Sequence, residues 1–189
     1  MAELISFAAP KFVDNRGWFT EIYNAHREKQ NGINDIFIQD NQSFSEKAGT
    51  IRGIHFQLPP MAQAKLVRCT RGAIIDYAID LRRGSPTYSE YVSIDLSAEN
   101  SRQLYIPVGF GHAFVTLEDA TEISYKVSAP YSAEHDAGVR WNCQLIGIRW
   151  PVDNERAILS EKDTALPTLE DFESPFDYDG PPMKLVTAN

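Results

Sequence analysis

The run Gly49-Thr50-Ile51-Arg52-Gly53-Ile54-His55-Phe56-Gln57 sets a permanent cation three residues before an imidazole. Histidine exchanges protons near neutral pH, and arginine binds anions bidentately. Together they suit proton transfer beside an anchored anion. A strict strand period of two sends Arg52 and His55 to opposite faces. Gly53 between them can host a β-bulge that re-aims one side chain, so that both converge on one cavity. The alternative is a strand histidine that is simply hydrogen-bonded, and the segment alone leaves both open.

Three further segments carry reactive side chains. Pro107-Val108-Gly109-Phe110-Gly111-His112-Ala113-Phe114 is a Pro-x-Gly-x-x-His turn entering a strand, and it resembles the second half of the cupin signature. Metal-binding cupins add His-x-His and a later Glu in the first half. Here His55 stands alone in that half, and His55 with His112 falls short of the three or four ligands a metal site needs. The implied barrel holds no metal. His26 and His135 lie in polar stretches and read as solvated. Tyr125 shares a strand face with Ile123 and Val127, which points it inward in a barrel, either as an acid or as a core tyrosine. Leu159-Ser160-Glu161-Lys162-Asp163 reads by itself as a solvated charged turn.

The elements that must position these residues are strands. Ile75, Tyr77, Ile79 and Leu81 alternate with smaller or polar residues, as do Val92, Ile94 and Leu96, and Ile123, Tyr125 and Val127. Shorter runs fall at 18–23, 36–40, 50–57, 64–69, 102–106 and 112–117, separated by Gly and Pro. Many short strands with turns between them predict an all-β sandwich or small barrel. Helix signals are few: a polar surface helix at 24–31 and one capped turn at Ser97-Ala98-Glu99-Asn100. The stretch 164–189, with Pro167, Pro175, Pro181 and Pro182, reads as an extended segment lying over the domain.

Length and composition bound the rest. The chain's 189 residues, 43% hydrophobic and 23% charged, fit one globular domain over 1–189, with a core at about 5–169 and a C-terminal tail at 170–189. A net charge of −8 excludes a general attraction to nucleic acid or anionic lipid. No apolar run approaches the roughly 20 residues of a membrane helix. The start Met1-Ala2-Glu3-Leu4 lacks the basic and apolar regions of an export signal. Cys69 and Cys143 fit no metal spacing or disulfide framework and read as free thiols in a reducing cytoplasm.

Taken together, the segments resemble one family. The carrying residues are Phe12, Asp14, Arg16, Gly17, Phe19 and Glu21; Gln39, Asn41 and Ser43; and Gly49 to Pro60 with its Arg52-Gly53-x-His55-x-Gln57 core. They continue with Gln63 and Lys65-Leu66-Val67-Arg68, Asp80-Leu81-Arg82 with Ser85-Pro86-Thr87, Tyr105 to His112, Tyr125-Lys126, Tyr131, Gly147 to Pro151, and Leu159 to Asp163. Over about residues 5–169 the chain resembles the dTDP-4-dehydrorhamnose 3,5-epimerases, sugar-nucleotide epimerases of deoxysugar biosynthesis. Two departures are visible. Gly-Phe-Gly-His-Ala-Phe replaces the family's usual Gly-Phe-Ala-His-Gly-Phe, and Cys143 follows Trp141-Asn142 where an Asp is common. Both leave room for a variant substrate or for inversion at one carbon only.

The resemblance implies a cupin jelly roll of two antiparallel sheets, and inversion of C3 and C5 beside the C4 ketone of a dTDP-4-keto-6-deoxyhexose, with no redox cofactor and no metal. By the resemblance His55 is the base and Asp163 its partner, Lys65 stabilises the enolate, and Tyr125 is the acid. Arg16, Arg52 and Lys162 hold the diphosphate, Tyr131 and Phe12 sandwich the thymine, and Gln57 and His112 join the substrate contacts. Phe12, Arg16, Glu21, Gln39 and Asn41 are implied to reach the partner's site in a homodimer. Two other readings stand beside it: an epimerase acting on C3 or C5 only, with the same catalytic residues, and a sugar-binding cupin that does no chemistry, against which the intact His55, Tyr125 and Asp163 count.

Overall fold

The computed structural model describes residues 3–188. Met1 and Ala2, the first residues of the start that reads as leaderless, and Asn189, the last of the domain, lie outside the described residues. The strands are β1 Leu4–Ala8, β2 Phe12–Asp14, β3 Gly17–Phe19, β4 Gln39–Ser45, β5 Ile51–Gln57, β6 Lys65–Arg71, β7 Ala73–Asp80, β8 Tyr91–Ser97, β9 Arg102–Ile106, β10 Phe110–Thr116, β11 Thr121–Val127, β12 Asp136–Gly138 and β13 Leu185–Thr187. The helices are α1 Ala25–Gln30 and α2 Glu161–Thr164. One sheet runs β13-β1-β9-β6-β11-β4 and the other β12-β5-β10-β7-β8, with β2-β3 as a separate hairpin. The two sheets pack face to face as a jelly roll.

Strand parity sorts the side chains into three apolar layers. Between the sheets lie Leu4, Val67, Leu104, Ile106 and Ile123 from one sheet and Ile74, Ala78, Leu96, Phe110 and Phe114 from the other. Outside the five-stranded sheet, Tyr77, Ile79 and Leu81 of the β7 region pack on Trp141, Ile146, Leu169 and Phe176. The most regular alternation in the sequence therefore faces a layer supplied by the C-terminal segment, not the barrel interior. Outside the six-stranded sheet, Ile5, Phe7, Leu66 and Tyr105 pack on Ile33 beyond α1. Apolar layers cover much of the outer face of each sheet, and the polar cavity opens between the sheets.

Several expected boundaries move. The run at 36–40 becomes a strand at 39–45, because β11 offers cross-strand partners only from Gln39 to Ser45. The run at 18–23 is a strand only to Phe19, where its hairpin partner Phe12 ends the pairing. Ser97–Asn100 is the capped turn its residues suggest: Asn100 N donates to Ser97 Oγ at 3.0 Å, Ser97 N to Asn100 Oδ1 at 3.1 Å, and Ser101 N to the Ser97 carbonyl oxygen at 3.1 Å, one reciprocally capped turn leading into β9. The expected tail at 170–189 is part of the body. Ser174 and Phe176 are buried, and β13 joins β1 in parallel, the one parallel strand pair among the described residues of the two sheets.

The bulge at Gly53 is present. His112 on β10 stands opposite His55 and Phe114 opposite Arg52, so two residues of β5, Gly53 and Ile54, face the single Ala113. The extra residue restores parity: Ile51, Ile54 and Phe56 join the outer core, while Arg52 and His55 both face the cavity. Gly53 has φ +129°, and a Cβ there would lie 2.5 Å from Ala113 Cβ and 2.7 Å from the His112 carbonyl oxygen. Gly53→Ala is expected to lower unfolding stability by about 3 kcal/mol, from crowding and backbone strain together. It is also expected to weaken activity, because the same bulge aims His55. Urea unfolding with m unchanged is the check; a loss under 1 kcal/mol would mean that the bulge tolerates a side chain.

Candidate active site

A cavity of about 330 Å³ opens between the sheets, lined by residues of β4, β5, β6, β10 and β11 together with Tyr131, Asp136 and Lys162 at its rim. Its size is in the range of small-molecule sites. The polar set converges because β5 and β10 form one wall while β6, β11 and β4 form the other.

His55 stands on the first wall, and its Nε2 lies 2.6 Å from Asp163 Oδ1. The short helix α2 brings that carboxylate in. Ser160 caps the helix, its Oγ accepting from Asp163 N at 3.1 Å, and Asp163 is 3% exposed. The charged segment that reads as a solvated turn is thus a capped helical turn with its aspartate buried. Burial raises the Asp163 carboxyl, but hydrogen bonds from His55, the Gly53 backbone and Ser160 outweigh it and hold the group below the usual carboxylate range. An ionised carboxylate only accepts, so His55 Nε2 carries the proton and Nδ1 keeps its lone pair.

Lys65 begins β6 on the opposite sheet and is buried, donating from Nζ to the His55 carbonyl oxygen at 3.2 Å. Burial pushes its ammonium down to about 8, against the opposing charges of Asp76 and Asp136. His112 is buried, and its Nε2 lies 2.7 Å from Asp76 Oδ1. Burial pushes this imidazole below the usual histidine range, although the Asp76 carboxylate works the other way. Tyr125 sits on β11 between Val67 and Asn41 of the neighbouring strands and faces the cavity. Burial raises its phenol above the ordinary tyrosine value, so it stays protonated.

The rim residues are tied to one another. Asp136 accepts from Tyr131 Oη at 3.0 Å and pairs with Lys162. Arg52 donates to the Phe44 carbonyl oxygen at 3.0 Å and to Ser45 Oγ at 3.3 Å, which leaves Nη1 for an anion. Gln39 donates to Asn41 Oδ1 at 2.8 Å and accepts from Tyr131 N at 3.1 Å. Gln57 lines the cavity, but its side chain is spent on the rim: it donates to the Met61 and Pro130 carbonyl oxygens and accepts from Ser132 N.

Of the five residues expected to serve a partner's site, Gln39 and Asn41 instead line this chain's own cavity, because β4 forms part of its wall, whereas Phe12, Arg16 and Glu21 do not reach it. Arg16 pairs with Asp14 at 2.6 Å, Glu21 pairs with Arg27 at 2.9 Å, and Phe12 is exposed in the β2-β3 hairpin. Two carboxylates escape the sequence reading. Asp76 interrupts an apolar strand, and a charge in an otherwise buried run is the signal that marks it. Asp136 gives no such signal, since it sits in a polar stretch and becomes significant only through Lys162 and Tyr131. Among the described residues no group of three or more His, Cys, Asp or Glu is placed to hold a metal ion.

The sequence profile of dTDP-4-dehydrorhamnose 3,5-epimerase matches residues 1–171. A dTDP-4-dehydrorhamnose 3,5-epimerase of Sinorhizobium fredii is 50% identical over 178 residues, covering 94% of this chain and 91% of the relative. The crystal structure of the Bacillus anthracis dTDP-4-dehydrorhamnose 3,5-epimerase, with TDP and PPi bound, superposes with a TM-score of 0.82 at 48% identity, over 85% of this chain and 91% of that one. The dTDP-6-deoxy-D-glucose-3,5-epimerase of Legionella pneumophila, in complex with dTDP-4-keto-L-rhamnose, superposes with a TM-score of 0.85 at 36% identity, over 91% and 92%.

Proposed function

The chain belongs to the dTDP-4-dehydrorhamnose 3,5-epimerase family, and from that premise we propose that its cavity inverts C3 and C5 of dTDP-4-dehydro-6-deoxy-D-glucose, giving dTDP-4-dehydro-L-rhamnose. The protein is an isomerase. Both carbons flank the C4 ketone, where loss of a proton leaves an enolate. The work divides into removing a proton from one face, holding the charge that develops on the C4 oxygen, and returning a proton to the other face.

The observation that carries this reading is the placement of a base and an acid on opposite sheets. His55, oriented by Asp163, faces the cavity from β5, and Tyr125 faces it from β11. Nδ1 of His55 removes the proton, and Asp163 stabilises the imidazolium that results. Lys65 has N–H groups beyond its one bond to the His55 carbonyl and directs them at the enolate oxygen. Tyr125 returns the proton from the far wall, and its raised pKa keeps it in the acid form. Arg52 and Lys162 lie at the mouth, where the diphosphate passes, and the exposed Tyr131 ring offers a face for thymine.

A homodimer completes the site. Phe12, Val13, Trp18 and Phe19 expose between 61% and 78% of their surface on a hairpin at the chain's edge, and a second copy would cover them. Phe12, Arg16 and Glu21, idle at their own cavity, then serve the partner's. No helix among the described residues is long and apolar enough to cross a membrane. The two free thiols, Cys69 and Cys143, suit the cytoplasm.

The test is incubation of the protein with dTDP-4-keto-6-deoxyglucose in D2O, followed by NMR. Deuterium at both C3 and C5 with L-rhamno product is expected. Deuterium at one carbon would make the protein a single-carbon epimerase, and none at either would leave a sugar-binding cupin.

A further inference from the structure

We propose that Asp76 is a positioning residue of this cavity: its buried carboxylate keeps Lys65 cationic without occupying any Lys65 donor, and presents His112 to the cavity as a neutral acceptor. The inference rests on the catalytic reading of Lys65 given above.

Asp76 lies midway along β7 and is fully buried, on the face it shares with Ile74 and Ala78 of the inter-sheet core. A buried carboxylate is costly unless another charge answers it. Oδ1 accepts from His112 Nε2 at 2.7 Å, while Oδ2 has no hydrogen-bond partner among the described residues. His112 is kept neutral by its own burial, so it supplies a hydrogen bond but no charge. Since Nε2–H of the neutral ring donates to Asp76, Nδ1 of His112 is left as an acceptor. The balancing charge must come from elsewhere. Of the cations lining the cavity, Arg52 and Lys162 are in part or fully exposed, and Lys65 alone is buried.

Lys65 forms no ion pair within 4 Å among the described residues, and its one protein hydrogen bond goes to a backbone carbonyl. Asp76 acts on it through space. That arrangement differs from a direct salt bridge in a way that matters for chemistry: the charge is answered, yet the remaining N–H groups stay open for a ligand oxygen. The titratable groups that line the cavity with Lys65 are Asp136 from β12, His55 and Arg52 from β5, His112 from β10, Tyr125 from β11 and Lys162 from α2, and Asp163 stands behind His55. Asp136 also favours the cation, but it already pairs with Lys162 at the rim. Asp163 is engaged by His55. Asp76 is the anion left without a cationic partner of its own. Burial already pushes the Lys65 ammonium down to about 8, and removing a nearby anion lowers it further toward neutrality.

The test is Asp76→Asn, which keeps the shape and the acceptor toward His112 but removes the charge. The Lys65 titration is read directly by 13Cε-lysine NMR of the full chain, assigned with Lys65→Met. We expect the Lys65 midpoint to fall by about one unit. The activity deficit of the variant should then narrow toward pH 6 and widen to about fivefold at pH 8, because a midpoint lowered by about one unit leaves roughly a tenth rather than half of Lys65 protonated there. An unchanged Lys65 midpoint, or a deficit equal at every pH, would overturn the proposal and leave Asp76 a packing residue. If Asp76→Asn does not fold, the reciprocal variant decides. In Lys65→Met the carboxylate has only His112 to answer it, so the His112 imidazole should take up its proton at higher pH than in the wild type. An unmoved His112 resonance would overturn the proposal as firmly. Because both titrations are read without substrate, their outcome is separate from the D2O exchange that tests the function itself.

Discussion

His55→Ala is expected to lower turnover by about 10²- to 10⁴-fold while leaving the fold and dTDP binding intact. The fold should survive because the His55 side chain is about a third exposed at the cavity surface, with Asp163 as its protein partner, so its removal opens no core void. Binding should survive because the contacts assigned to the nucleotide, Arg52, Tyr131 and Lys162, lie at the rim and do not hydrogen-bond to His55. What the variant lacks is the lone pair on Nδ1 that the Asp163 contact directs away from itself. The check is a pair of measurements on one preparation: kcat with the keto sugar, and dTDP affinity by calorimetry. Turnover within a few fold of the wild type would remove His55 from the role of base. A parallel loss of dTDP affinity would place His55 in binding instead.

Tyr125→Phe is expected to separate two events that the wild type joins. The ring remains, so packing between Val67 and Asn41 changes little. His55 and Asp163 remain, so proton removal continues. The enolate then has no acid on the β11 wall and takes its proton back from His55, on the face it left. Solvent deuterium should therefore still enter the sugar, while epimerised product falls by at least about tenfold, in the range for loss of a general acid. One NMR time course in D2O reads both. Equal losses of exchange and inversion would move Tyr125 to an earlier step, such as orienting the ketone. If neither fell, the proton would come from another group, and Tyr125 would belong to the core.

Much of this is legible in the residues. Alternation along Tyr91–Ser97 and Thr121–Val127 specifies strands because side chains on a pleated backbone alternate without reference to anything distant. Gly53 between Arg52 and His55 announces a bulge for an equally local reason: only glycine accepts its positive φ and the close approach of Ala113. From these the fold class and the opening for Arg52 and His55 to converge follow locally, whereas the roles of His55 as base and Tyr125 as acid are what the family resemblance implies.

The remainder was decided by the tertiary structure. Period two distinguishes two faces of a strand but does not say which is inside when both are covered. The regular apolar face at Tyr77, Ile79 and Leu81 turned out to meet the C-terminal segment, and the face with Asp76 turned inward. Asp163 lies 108 residues from His55, and nothing local distinguishes it from any other acid in a charged turn. It becomes a buried partner only because α2 packs on β5. The opposition of His55 and Tyr125 likewise belongs to the stacking of two sheets, a relation between strands distant in the chain. Local residue order sets what each segment can form. Which groups end up sharing one cavity, and from which wall each faces it, is set by contacts that exist only once the chain has closed on itself.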